Sequence, residues 1–139
     1  MLTAGIVAEY NPFHNGHEAH IEATRAALGP DTGIICCMSG DFVQRGEPAQ
    51  WSKFARAEAA VRCGVDLVFE LPVQWALSSA EGFARGAVGL LDSLGVVDYL
   101  SFGSECGSVE PLERIAEALL SPSIDAEIRA EAQTGESYA

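Results

Sequence analysis

Four short apolar runs set narrow limits on what this chain can fold into. They are Leu2–Ala8 (LTAGIVA), Gly33–Met38 (GIICCM), Val65–Leu71 (VDLVFEL) and the segment Val96–Phe102. They lack the regular polar/apolar alternation of a sheet with one wet face, and they suit strands covered on both sides. Longer stretches with helical character lie between them. Gly16–Leu28 stops at Gly29-Pro30, Lys53–Cys63 follows the N-cap candidate Ser52 and precedes Gly64, and Ser79–Leu94 ends at Gly95. Ser39–Gln50 is polar and contains Gly and Pro, so it reads as a loop. Pro111–Leu120 reads as a further helix with Ser108 or Glu110 near its start, and Ser123 to about Gln133 as another. Strand and helix in alternation predict an α/β fold: a parallel sheet with helices on both faces, in one domain spanning residues 1–139. A chain of 139 residues, 48% of them hydrophobic, can bury a core of that kind.

In such sheets ligands sit beyond the carboxyl ends of the strands, where the strand order reverses. That directs attention to the residues after Ala8, Met38, Leu71 and Phe102. After the first strand comes Glu9-Tyr10-Asn11-Pro12-Phe13-His14-Asn15-Gly16-His17. A helix beginning near Gly16 turns its free N–H groups and its positive dipole end toward the crevice, which makes an anion site. Gly16 lets backbone approach a ligand closely. His14 and His17 are three residues apart and can face one spot, with His20 a further turn along. Phosphoryl and nucleotidyl transfer chiefly need donors aimed at charge that grows on phosphate oxygens, and imidazole N–H groups supply them. The competing readings are packing of a helix by three histidines, and a metal site. The spacing differs from the zinc-hydrolase pattern of two histidines four apart with a glutamate between them.

Other crevice segments carry fewer signals. Asp41 follows the second strand and is either a Mg²⁺ or substrate-orienting carboxylate or a loop cap. Arg45, Lys53 and Arg56 are three of only eight cations and are either phosphate contacts or surface charge. Lys53 and Arg56 share a helix face, so they can act together. Phe83-Ala84-Arg85-Gly86 reads as structural, with Gly86 allowing close packing and Arg85 facing the crevice or pairing with an acid. Gly103, after the fourth strand, permits close approach to a nucleotide or simply ends the strand. The net charge of −12 opposes binding of phosphates and RNA in general, so cations must act locally. Cys36, Cys37, Cys63 and Cys106 form no CxxC pair and read as reduced thiols, mostly buried. No run is long and apolar enough to span a bilayer and no signal peptide is evident. Neither a membrane nor DNA is expected as a partner, and the expected location is cytoplasmic.

The run GIVAEYNPFHNGH (Gly5 to His17) resembles the opening of the tRNA(Met) cytidine acetate ligase family, within the HIGH-type nucleotidyltransferase superfamily. The likeness continues through MSGDFVQRGEP, SKFARAEAA, GVDLVFELP, FARGAV and FGSE, in that order, over essentially the whole chain. The resemblance implies a Rossmann-like fold that binds ATP and, with Mg²⁺, activates acetate as acetyl-adenylate. The acetyl group then passes to N4 of the wobble cytidine of elongator tRNA(Met). It implies ATP contacts from Val7, Ala8, Glu9, Tyr10, Asn11, Pro12, Phe13, His14, Asn15, Gly16, His17 and His20, and from Gly103. His14 and His17 would stabilise phosphate charge, Lys53 and Arg56 would assist the leaving group, and Asp41 would hold magnesium. Family members are longer, so the fold is expected to stop after four strands and to lack a C-terminal tRNA-binding region. Two other readings stand beside this one: a small adenylyltransferase of the pantetheine-phosphate or nicotinamide-mononucleotide type, and a non-catalytic nucleotide-binding fragment.

Overall fold

The four apolar runs become one four-stranded parallel sheet in the order β3-β2-β1-β4. The strands are β1 (Thr3–Ala8), β2 (Gly33–Ser39), β3 (Leu67–Leu71) and β4 (Tyr99–Ser101). The computed structural model describes residues 1–44, 46–121 and 124. It divides into two compact units, Met1–Phe102 and Gly103–Ala139. The first holds the sheet, α1 (Asn15–Leu28), α2 (Lys53–Arg62), α3 (Val73–Ala76) and α4 (Ala80–Ser93). The second holds α5 (Glu110–Leu119).

Burial on both faces follows from the residue parity of β1 and β2. Ile6, Ile34, Cys36 and Met38 pack with Ile21 of α1 and Ala60 of α2. Their neighbours Val7, Ile35 and Cys37 turn the other way, toward Ala76, Ala87 and Leu91 of α3 and α4. A strand whose successive side chains both enter a core has no polar alternation to display. The adjacent thiols of Cys36 and Cys37 therefore lie in different cores, and all four cysteines are free. The expectation of mostly buried thiols holds for these two; Cys63 is half-buried and Cys106 is exposed.

Two aspartates fix where neighbouring strands enter the sheet. The Asp66 carboxylate accepts from the Ile34 amide at 2.7 Å and pairs with Arg25 at 2.9 Å. The Asp98 carboxylate accepts from the Thr3 amide at 2.8 Å. Their carboxylates serve neighbouring strands, so β3 begins at Leu67 rather than Val65, and β4 occupies Tyr99–Ser101 within the expected segment Val96–Phe102. The short helix α3 was not expected. Pro72 starts it and the Trp75 and Ala76 amides return to the Pro72 carbonyl. Gly86 of α4 packs where a Cβ would lie 2.4 Å from Cγ of Trp75, the close approach expected of it. Arg85 is exposed and has no acidic partner among the described residues, so its expected pairing is not found. In the second unit α5 starts after Val109, which caps without a side chain. The Ser108 hydroxyl donates to the Glu110 carboxylate instead of capping the helix. The helix expected over Ser123 to Gln133 lies outside the described residues, apart from Ile124.

Candidate functional site

Strand order reverses at β1: β2 and β3 lie to one side of it and β4 to the other. A cavity of about 500 Å³ opens at that place. Its walls include Val7, Ala8, Glu9, Tyr10, Asn11 and Pro12 from the strand exit, and His14, His17 and His20 from the start of α1. Ile6, Gln44 and Phe83 also line it, and sequence reasoning did not place them there. Phe83 carried a signal, since its block was noticed, but it was read as structural. Phe13, Asn15 and Gly16 shape the wall without lining it. Phe13 and Tyr10 lie edge to face at 4.9 Å, and Tyr10 and His17 at 4.8 Å. Tyr10 has a left-handed backbone, φ 49°, an uncommon conformation for a non-glycine residue. It is buried against Cys36, and burial raises the pKa of both groups, the Cys36 thiol to about 12.

The first turn of α1 is capped by the two histidines themselves. His14 is the N-cap, and its Nδ1 accepts from the Gly16 amide at 3.1 Å. Nδ1 of His17 accepts from the His14 amide at 3.2 Å. This is a variant of the capping box made by imidazoles: the ring of the third helical residue, His17, takes the amide of the cap, while the ring of the cap takes the amide of Gly16 and the His14 carbonyl takes that of His17. The rings stack with centroids 3.8 Å apart. Gly16 also gives the capping ring room, a role the sequence did not disclose: a Cβ there would lie 3.0 Å from Cε1 of His14, so the ring would have to shift by a few tenths of an ångström.

Capping decides the chemistry of these rings. A nitrogen that accepts from an amide carries no proton, so in the neutral ring the proton is on Nε2. His17 stays neutral because burial, then the neighbouring His14 and His20, lower its pKa from 6.5. The cavity is thus lined by two Nε2–H donors held at a helix N-terminus, an arrangement that recognises anionic oxygen.

The other expected phosphate ligands are placed differently. Arg56 is only 2% exposed. Its Nε donates to the Trp51 carbonyl at 3.0 Å, Nη1 to the Glu9 carbonyl and Nη2 to the Gly40 carbonyl. This corrects its reading as a phosphate contact: the guanidinium is a crosspiece joining the exits of β1 and β2. Burial lowers its pKa, and the nearby Asp41, Glu9 and Glu70 oppose that shift. Two further bonds bind the same segments, Gln44 amide to the Glu9 carboxylate at 2.6 Å and Gln50 amide to Asn11 Oδ1 at 2.7 Å.

Lys53 and Asp41 do not line the histidine cavity. Lys53 Nζ holds the Glu70 carboxylate at 2.7 Å and Asp41 at 3.6 Å, and the hydrogen bond to Glu70 is the main reason its pKa is raised. Lys53 and Arg56 therefore do not act as one cationic pair, because Arg56 is buried and Lys53 is neutralised. Glu70 went unnoticed in the sequence, where it sits inside an apolar run. Asp41, Gly40 and Glu70 line a separate cavity of about 220 Å³. Arg45 lies outside the described residues, and Gly103 belongs to the second unit. Among the described residues, no three His, Cys, Asp or Glu side chains gather as a metal-holding group.

A nucleotide-sized cavity at the strand-order reversal, with imidazole donors on a helix start, agrees with the comparisons. The family model for the HIGH Nucleotidyl Transferase matches residues 1–139. The chain belongs to that family. Among solved structures, Thermotoga maritima TmcAL bound with alpha-thio ATP superposes with a TM-score of 0.92 at 49% identity. That match covers 99% of this chain and 33% of the other. A tRNA(Met) cytidine acetate ligase of Caldanaerobacter subterraneus is 55% identical over 120 residues, 86% of this chain and 30% of the relative. One of Fervidobacterium nodosum, with the same description, is 48% identical over 140 residues, 99% of this chain and 33% of the relative. The chain thus spans about a third of the length of the curated relatives it matches. Among the described residues no helix is long and apolar enough to cross a membrane.

Proposed function

We propose that this chain supplies the ATP site of an acetate-activating tRNA(Met) cytidine acetate ligase. The observation that carries the reading is the pair of Nε2–H donors made by the mutual capping of His14 and His17. The solved TmcAL bound with alpha-thio ATP, which shares this fold at 49% identity, supports ATP as the ligand. In the proposed reaction an acetate oxygen attacks the α-phosphorus of ATP. The bond from that phosphorus to the bridging oxygen breaks, and acetyl-adenylate and pyrophosphate form. His14 and His17 donate to oxygens whose charge grows as pyrophosphate departs. The N4 amine of the tRNA wobble cytidine then attacks the acetyl carbonyl, AMP leaves, and the amine loses a proton. Phe13, Asn15 and Gly16 belong to the proposed ATP site; Gly103 is by itself a proposed nucleotide contact, and Arg45 a proposed phosphate contact.

Magnesium fits this site only as a cation carried by the nucleotide. Among the described residues no acidic cluster gathers, and Asp41 lines a cavity separate from the histidines, so the cation's positions here fall to phosphate oxygens and water. Lys53 then holds the Asp41 and Glu70 carboxylates in place.

The test is to incubate the chain with labelled ATP, with and without acetate, and to follow acetyl-adenylate and pyrophosphate. Both products should require acetate, and His17→Ala should remove them while the circular dichroism spectrum is retained. Pyrophosphate formed only with phosphopantetheine or nicotinamide mononucleotide would point to a small-molecule adenylyltransferase. Absence of both ATP binding and turnover would refute the site.

A further inference from the structure

Beside β4 a chain of hydroxyl groups, Thr24 and Ser101, contacts the cavity-lining His20 and sets this third histidine opposite to the first two. Thr24 Oγ1 donates to the His20 carbonyl at 2.8 Å, which uses its only proton. Ser101 Oγ lies 2.7 Å from Thr24 Oγ1, so Ser101 must be the donor in that contact. Its proton is then committed as well, and Ser101 can only accept from Nε2 of His20, 2.9 Å away. Nε2 therefore carries the proton, and Nδ1 of the neutral ring is left as a lone pair with no partner among the described residues. Burial lowers the His20 pKa and keeps the ring neutral. In His14 and His17 the arrangement is reversed, with Nδ1 occupied and Nε2–H available.

A lone pair repels phosphate oxygens and attracts an uncharged donor. His20 sits three residues beyond His17, about 4.5 Å farther along the helix. A nucleotide whose phosphates meet the first turn has its ribose at about that remove, whereas the adenine amino group lies at the far end of the molecule. We propose that His20 determines specificity: its Nδ1, set as an acceptor by Ser101 and Thr24, receives a hydrogen bond from a ribose hydroxyl of the nucleotide. This rests on the nucleotide reading of the cavity.

Two measurements separate the relay from that reading. Long-range ¹H–¹⁵N spectra of the ligand-free chain report the tautomer directly. His20 should be protonated at Nε2 in the wild type. In Thr24→Val the Ser101 hydroxyl is released to donate to Nε2, and the proton should move to Nδ1. Protonation at Nδ1 in the wild type overturns the relay. Calorimetry then compares ATP with its 2′-deoxy, 3′-deoxy and purine riboside forms. One deoxy form should bind about tenfold more weakly than ATP, the loss of one well-made hydrogen bond. That gap should close in Thr24→Val and narrow in Ser101→Ala, which guards against a folding defect in either variant. Equal binding of ATP and both deoxy forms overturns the ribose assignment, and weakening confined to the purine riboside assigns the donor to the adenine amino group instead. A chain that shows the Nε2 tautomer but binds no ATP overturns the nucleotide reading and leaves the relay standing.

Discussion

Replacing Arg56 with methionine removes the cation that, among the described residues, joins the two strand exits. Three carbonyls, those of Trp51, Glu9 and Gly40, lose a charged donor together. A hydrogen bond from an ionised group contributes about 1.5 to 3 kcal/mol, so three bonds at the lower end give about 4.5 kcal/mol. Methionine fills much of the space and needs no desolvation of charge, which returns about 1 kcal/mol. The net loss is about 3 to 4 kcal/mol, a large part of the roughly 5–15 kcal/mol that holds a domain together. Urea unfolding with a slope of about 1.5 kcal/mol per molar should then show the midpoint falling by about 2 M. Hydrogen exchange adds a local readout. The Gln44 and Gln50 amides bond across to Glu9 and Asn11, so both should lose protection before the rest of the chain does. Arg56→Lys keeps the charge and loses the fork, and should fall between the two. A loss below about 1 kcal/mol for Arg56→Met, with both amides still protected, would refute the crosspiece.

Three further outcomes follow from the geometry. Gly86→Ala drives a methyl group into the Trp75 indole and should cost about 1 to 3 kcal/mol in urea unfolding; a neutral result would mean α3 shifts freely. His14→Ala should lower stability by about 1 kcal/mol, as loss of an N-cap does, and weaken ATP binding measured by calorimetry. The pKa values of His17 and His20 are lowered in the folded chain, so the unfolded chain binds more protons below 6.5. Their contribution to stability is complete above that pH and is lost as pH falls toward the folded values. Melting temperatures from pH 7 to pH 5 should decline, with a shallower slope in His17→Gln.

How much of this was legible in the sequence depended on the range of the interaction. The strand β2 and the helix α1 announce themselves within a few residues, the first by an unbroken apolar run and the second by the Gly29-Pro30 stop. The start of β3 was misjudged because Asp66 looks like a local residue but serves a strand 32 positions away; Asp98, just before β4, likewise serves a strand 95 positions away. The helix α3 has only four residues and shows no periodicity. The histidines were recognisable as donors, but their role as mutual caps was not, because histidine is not among the usual capping residues. Arg56 was misread for a different reason. Residue type suggests an exposed cation, and no local pattern says that two distant carbonyls need a donor at that point.

Mutual capping by histidines has a consequence for anyone seeking a hardier variant of this chain. Serine at position 14 and glutamate at position 17 would install the favoured S-x-x-E box, and optimisation for stability alone would select that pair. The double variant His14→Ser/His17→Glu should gain up to about 1 kcal/mol in the first turn. It would also place a carboxylate where the proposed site offers an N–H donor, so that the same turn should repel the phosphate proposed to bind there. Thermal melts and ATP-binding isotherms of that variant should move in opposite directions. The present sequence accordingly forgoes the better helix start to keep a usable proton there, and a consensus-style redesign would remove that proton as though it were a flaw.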